Sequence, residues 1–199
     1  MSHSALIYDC EIVNCIPPRN RADCDSSLTY AGGWTSYAEM DISTICVYDY
    51  STDAYRVFLE DNLGEFDKLV AEREIIIGFN SKFFDDKLCL VNDLKVETTY
   101  DLLSEIRVAS GQPPGYVYGQ TRKGYSLEAL AKANLGIGKS GSGALAPELW
   151  QRGKFGTVIS YCLNDVAITR KLFELGLSGD LKDPTNGERL ELPTPGGWL

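Results

Sequence analysis

Apolar and polar positions change period several times along the chain, and each change marks an element. Residues 5–13, "ALIYDCEIV", are dominated by β-branched and aromatic side chains with no helix former among them, which predicts a strand. "ISTICVYDY" (42–50) and "AYRVFLE" (54–60), joined by the turn-like "STD", predict a strand hairpin. "GEFDKLVAERE" (64–74) has a helical spacing, and "IIIGFN" (75–80) is a short apolar run that stops at Gly78, as a buried strand would. In "SKFFDDKLCLVNDL" (81–94) the apolar positions Phe84, Leu88 and Val91 favour a helix. Two more helices are predicted in "TTYDLLSEIRVAS" (98–110) and "SLEALAKANLG" (126–136), the second with Ser126 as N-cap and Gly136 as stop. The last is "TVISYCLNDVAITRKLFELG" (157–176), where Ile159, Cys162, Val166, Leu172 and Phe173 share a face. Strands first, then strands alternating with helices, predict an α/β layer fold with a mixed central sheet flanked by helices.

Between these elements lie stretches without periodicity. Residues 14–38 are rich in Pro, Gly, Ser and Asp and form a long loop insert, a length that inside one domain is functional or disordered. "GQPPGYVYGQTRKGY" (111–125) is similar, and from about 177 the tail is rich in turn residues. With 199 residues, 44% of them hydrophobic, a single domain over 1–199 is expected. No window approaches the ~20 apolar residues of a membrane span, and "MSHSALIYDCEIV" lacks the basic head and long apolar segment of a leader. A soluble protein with no membrane partner follows as the expectation. Six scattered cysteines without a C-x-x-C pair signal neither a zinc site nor a disulfide framework.

A net charge of −9 argues at first against a nucleic-acid partner, but the charge is unevenly distributed. Residues 1–100 carry 8 basic against 18 acidic side chains, residues 101–171 carry 9 against 5, and residues 172–199 carry 2 against 5. The acid is concentrated in one half and the basic excess follows it. Such a half serves solubility, or it holds divalent cations and meets phosphate through them.

Three acidic constellations stand out. Asp9 and Glu11 are two apart on the first predicted strand and therefore project from one face, inside a run apolar enough to be buried. Asp85 and Asp86 are adjacent on a helix and point about 100° apart, so at most one can join the first pair. Tyr161 and Asp165 are four apart on the last helix and lie one above the other. Singly, each has an ordinary explanation in an exposed strand face, a solvated pair or an amphipathic helix.

Their order is more specific. D-x-E on a first strand, "GFNSKFFD" after a later strand and Y-x-x-x-D on a late helix resemble the DEDD superfamily of 3′-to-5′ exonucleases, proofreading-exonuclease relatives with a ribonuclease H-like fold. The resemblance runs from Asp9 to about Phe173, and "YSLEALAKANLGIGKSG" and "YCLNDVAITRKLFELG" are similar to the helical second half of bacterial and phage members. Tyr161 stands at the third motif and the lone histidine is His3, so the chain resembles the tyrosine subclass. The second motif aligns on Asn80, Phe84 and Asp85, which makes Asp85 the functional member of its pair and Asp86 a solvated neighbour. The 14–38 insert departs from the shorter connection of many relatives.

The resemblance implies a metal-dependent 3′-to-5′ exonuclease, hydrolysing phosphodiester bonds of DNA or RNA at single-stranded 3′ ends. Asp9, Glu11, Asp85 and Asp165 would bind two Mg²⁺ or Mn²⁺ ions, hard cations suited to carboxylate oxygen, set ~4 Å apart. In this reading Asp9 bridges the ions, Glu11 and Asp165 complete the water-activating site, and Asp85 holds the second ion. Tyr161 orients the attacking water, and Asn80 either meets the sugar-phosphate or caps the following helix. Arg107, Arg122, Lys123, Lys132, Lys139, Arg152 and Lys154 are the candidate phosphate contacts, with Lys139 in "GIGKSGSG" preferred because a glycine-rich bend lets backbone amides approach a phosphate. Tyr116 and Tyr118 are candidate stacking residues. An endonuclease or resolvase on the same fold, and a module that binds without cutting, are the alternatives. A cytoplasmic setting in a bacterium or phage-infected cell, with a separate replication or repair protein as partner, completes the expectation.

Overall fold

The computed structural model describes residues 3–137 and 143–198. Five strands form one sheet: β1 (Ala5–Ile12), β2 (Ile42–Asp49), β3 (Ala54–Phe58), β4 (Ile75–Gly78) and β5 (Tyr100–Asp101), in the order β3-β2-β1-β4-β5. The hairpin partners β1, β2 and β3 are antiparallel, whereas β1, β4 and β5 run parallel through helical crossovers. The helices are α1 (Leu63–Ala71), α2 (Asp85–Val91), α3 (Leu102–Ala109), α4 (Leu127–Leu135), α5 (Ala146–Gln151) and α6 (Phe155–Leu177).

β1 is central and buried on both sides, which is why it reads as a nearly continuous apolar run. Its alternation still sorts two cores. Leu6, Tyr8, Cys10 and Ile12 join Phe66, Leu69 and Val70 of α1 and Leu88 and Cys89 of α2. Ala5 and Ile7 face the other way, into a core with Ile106 of α3, Leu130 of α4 and Cys162, Val166 and Phe173 of α6. Asp9 and Glu11 continue the Ala5–Ile7 row, so the strand period itself carries them toward α6.

Two predicted helices are shorter than their sequence pattern. Ser81–Phe83 form a single 3₁₀ turn, Phe84 breaks it with φ −135° and ψ −68°, and α2 starts at Asp85. Tyr100 and Asp101 pair with Ile77 and Gly78 as β5, and only Leu102 begins α3. Asp101 is extended there, and its carboxylate accepts from Ser104 N at 3.1 Å, capping α3. In α4 the expected caps are in place: Ser126 accepts from Ala129 N, and Gly136 takes the left-handed conformation at φ +66°.

Two of the three irregular stretches, the insert and the tail, are packed. The 14–38 insert pairs Cys15 with Tyr30 and is tied to α5, whose Gln151 amide donates to Val13 O and Thr29 O, both at 2.9 Å, and accepts from Thr29 N at 2.7 Å. The tail buries Leu181 and Leu190 in the core and closes with Trp198 stacked on His3. All six cysteines are free thiols. Among the described residues no helix is long and apolar enough to cross a membrane.

Candidate active site

The site is built where β1 outruns its neighbour. β4 stops at Gly78, so β1 beyond Ile7 has no strand partner on that side. The chain turns sharply there: a Cβ on Gly78 would lie 2.2 Å from the Ser81 hydroxyl, and Asn80 adopts φ +65°. The turn delivers the start of α2 against β1, and Asp85 accepts a hydrogen bond from Cys10 N at 3.2 Å in place of the missing strand. Asp101 braces the turn from below. Buried completely, its carboxylate accepts from Asn80 N and Lys82 N at 3.1 Å each, besides its cap to Ser104.

Asp86 points away from this cluster. It is not a solvated neighbour as expected: it accepts from Tyr8 Oη, from Thr98 N at 3.0 Å and from Thr98 Oγ1 at 2.7 Å. One aspartate of the pair thus anchors α2 to the chain entering β5, and the 100° between helical neighbours turns the other toward Asp9. Burial pushes the Tyr8 hydroxyl up, and the Asp85 carboxylate adds to it.

α6 supplies the other wall. Cys162 lies against β1, its thiol donating to Asp9 O at 3.4 Å, and Tyr161 and Asp165 stand on either side of it in sequence. The four carboxylates feel one another. Burial pushes Asp9 up, and Asp85, Glu11 and Asp165 push it further. Glu11 is raised by burial and then by Asp165 and Asp85. Burial moves Asp85 up to about 7, against the pull of its hydrogen bonds from Cys10 N and its own amide. Tyr161 is raised by burial and by Asp165, to which its hydroxyl is hydrogen-bonded, so it remains protonated at neutral pH.

For Asp9 and Glu11, the burial and the neighbouring groups that shift the carboxyl most all raise it, and none of these groups among the described residues is a cation. A buried set of oxygen donors in that condition fits hard divalent cations. Among the described residues no three acidic or thiol side chains already stand as a ligand set for a metal ion. The carboxylates are electrostatic neighbours, and coordination would draw them closer.

Two cavities open beside the cluster and share Cys10 and Phe84. The larger, about 590 Å³, reaches from Asp9 and Asp85 past Asn80 to Arg107, Arg122, Lys123 and Tyr116. Arg107 has a buried Nε without a hydrogen-bond partner among the described residues. Arg122 is held by a bond to Ser110 O and lies over the Tyr125 ring. Asn80 makes no side-chain cap to the turn that follows, so its capping role is excluded and its side chain faces the cavity. Arg152 is committed elsewhere, to Asp25 at 2.8 Å and Glu148 at 2.9 Å, and is no phosphate contact in this arrangement. Tyr118 is exposed. Lys139 lies outside the described residues.

Asp9, Glu11, Asp85, Tyr161 and Asp165 are electrostatic neighbours, and Asp101 and Thr98, which no sequence motif marks, hold the second motif. The only signal for Asp101 was its N-cap position before "LLSE".

No family model and no curated protein sequence matches the chain. Among solved structures the chain is similar to a family B DNA polymerase from the hyperthermophilic archaeon Pyrobaculum calidifontis, with a TM-score of 0.60 and 17% identity. The likeness covers 94% of this chain and 26% of the polymerase chain, so the chain spans about a quarter of that protein. At this identity the likeness is one of fold: an α/β, ribonuclease H-like mixed sheet flanked by helices.

Proposed function

We propose that the chain is a metal-dependent 3′-to-5′ exonuclease of the tyrosine subclass, hydrolysing phosphodiester bonds at single-stranded ends of nucleic acid. The observation that carries this is the convergence of Asp9, Glu11, Asp85 and Asp165, from three separate elements, into one buried to half-buried set whose members raise one another, beside a cavity lined by Arg107, Arg122 and Lys123. The likeness of fold to part of a DNA polymerase supports a nucleic-acid substrate. An acidic floor with a cationic wall suits a phosphodiester whose charge is met by cations at both places.

The four carboxylates would hold two Mg²⁺ or Mn²⁺ ions, which would supply neutralisation of the cluster and charge stabilisation during phosphoryl displacement. The residues themselves do the positioning. Tyr161 keeps its proton, so its hydroxyl orients the attacking water as a hydrogen-bond partner and is not the base. Asp165 fixes that hydroxyl, Asn80 faces the sugar-phosphate, and Arg107 in the cavity wall brings its positive charge to a phosphate oxygen. Asp101 and Asp86 act at one remove, holding α2 so that Asp85 keeps its bond to Cys10 N.

The test is incubation with Mn²⁺ and 5′-labelled linear, 3′-blocked and circular strands, as DNA and as RNA. Laddering from free 3′ ends alone is expected. Nicked circles would replace the proposal with an endonuclease, and intact substrate throughout would replace it with a binding module.

A further inference from the structure

The second cavity, about 370 Å³, lies on the other side of Phe84 and differs in character. Ile12, Ile16, Pro17, Trp34, Phe84 and Pro147 line it, with Glu11 as the one charged residue among the described lining. Three of these side chains, Ile16, Pro17 and Trp34, come from the 14–38 insert. Trp34 is 62% exposed, a large apolar area for a soluble surface, yet its segment is firmly held. Arg21 donates to Gly32 O at 2.8 Å, Glu39 accepts from Gly32 N at 2.7 Å, and Ser36 N closes a turn on Gly33 O at 3.0 Å. The indole meets Phe84 edge-on at 6.2 Å, and Tyr37 of the same insert donates to Phe83 O. At the far end, Gln151 and Arg152 lock the insert to α5.

An exposed indole costs little to desolvate and much to leave in water, and a pre-ordered one stacks without a further loss of conformational entropy. What it takes must fit the neighbouring groups as well. The apolar cavity adjoins, across Phe84 and Cys10, the one that carries Arg107, Arg122 and Lys123, and both touch the carboxylate cluster. A ligand that alternates flat apolar units with anions meets both. A purely apolar ligand leaves the cationic cavity unused, and a purely anionic one leaves Trp34 bare.

We propose, resting on the exonuclease reading, that the 14–38 insert is a base-reading wall, and that Trp34 is a specificity-determining residue which stacks on one unpaired nucleobase at the strand end. Phe84, between the cavities, then stands between that base and the rest of the strand. A base within a duplex has both faces stacked on its neighbours, and a terminal pair frees only its outer face while its partner strand stays attached, so the wall favours unpaired ends.

The experiment compares two thymidine trinucleotides, one ending in an ordinary 3′ nucleotide and one whose 3′ sugar lacks its base. The wild-type protein in Mn²⁺ should degrade the base-bearing end about tenfold faster at subsaturating substrate, the scale of one stacked base. In Trp34→Ala the ratio should fall close to one, and in Trp34→Phe most of it should return. An unchanged ratio in Trp34→Ala overturns the proposal, as does an equal loss on both substrates with the ratio preserved. Binding of the same two oligonucleotides, read by fluorescence anisotropy in chelator, separates the two readings. Should the protein cut neither substrate but prefer the base-bearing one in a Trp34-dependent way, the exonuclease reading falls and the base wall stands. Equal binding of both overturns the wall whatever the enzyme does.

Discussion

Asp85 and Asp86, adjacent in sequence, should respond to substitution in opposite ways. In the metal-free protein the Asp85 carboxyl is moved from an ordinary 3.8 to about 7, chiefly by burial. A raised carboxyl contributes stability that is present below its unfolded value and lost as pH rises from about 4 through about 7. At about 1.4 kcal/mol per pH unit the cost at pH 8 is at most ~4 kcal/mol, and partial solvation and counterions bring the expectation nearer ~2 kcal/mol. Asp85→Asn retains an oxygen to accept from Cys10 N and removes the charge. It should therefore raise the melting temperature in chelator at pH 8 by roughly 4–8 °C, with the gain vanishing near pH 4.5. The same substitution should lower turnover in Mn²⁺ by about a thousandfold, equivalent to ~4 kcal/mol of transition-state stabilisation. Asp86→Ala does the reverse. It strips the Thr98 amide of its acceptor, at about 1–3 kcal/mol for a buried group left unpaired, and leaves the Tyr8 hydroxyl only the 3.3 Å contact with Thr98 Oγ1, at about 1 kcal/mol more. The melting temperature should fall by roughly 5–15 °C, while turnover at 15 °C, where the variant is folded, stays within a few-fold of wild type. Differential scanning calorimetry in chelator and a labelled-strand assay decide it. If Asp86→Ala abolishes turnover while folded and Asp85→Asn does not, the second motif is assigned one residue early. If Asp85→Asn is less stable than wild type at pH 8, the electrostatic account of the cluster is wrong.

Tyr161→Phe keeps the ring and removes only the bond to Asp165, so stability should change by no more than ~1.5 kcal/mol while kcat drops tenfold or more at nearly constant substrate affinity. Wild-type turnover in steady-state assays would refute its water-orienting role. Away from the site, Asp49 is fully buried and bound by Arg73, with Nε donating at 2.9 Å and Nη2 at 2.9 Å, and its carboxyl is held below the usual range by those bonds and by Thr52 and Ser51, which outweigh burial. A depressed carboxyl contributes stability above its unfolded value near pH 4 and loses it as pH falls further, so Arg73→Ala should cost about 3 kcal/mol at pH 7 in urea unfolding, shrinking as pH drops below 4. Charge reversal of Arg122 and Lys123 together should weaken binding of single strands in chelator and flatten its dependence on salt, measured by anisotropy from 50 to 200 mM NaCl, a range over which each lost phosphate contact removes about 0.9 from the log–log slope for a duplex and about 0.7 for a single strand. An unaltered slope would place the strand elsewhere.

What the sequence by itself determined is what short-range geometry controls. The period of two along "YDCEI" puts Asp9 and Glu11 on one face whatever surrounds the strand, and four residues of helix put Tyr161 over Asp165. Ser126 and Gly136 end α4 for reasons contained in their own side chains. The order of elements was enough for a mixed sheet between helices, because parallel strands need crossovers and a hairpin does not. Tertiary structure decided the rest, wherever two local answers were nearly equal in energy. Thr98–Asp101 can be helix or strand by propensity, and pairing with Ile77 and Gly78 makes its end β5. Asp85 and Asp86 are chemically identical, and Tyr8 and Thr98 claim one, which leaves the other to the cluster. Arg152, a phosphate contact on charge alone, is taken by Asp25 of an insert 127 residues earlier in the chain. That insert has no period to read, since its shape is held by hydrogen bonds between irregular positions such as Arg21 and Gly32, and its place beside the carboxylates follows from contacts with Gln151 and Phe84, far away in sequence.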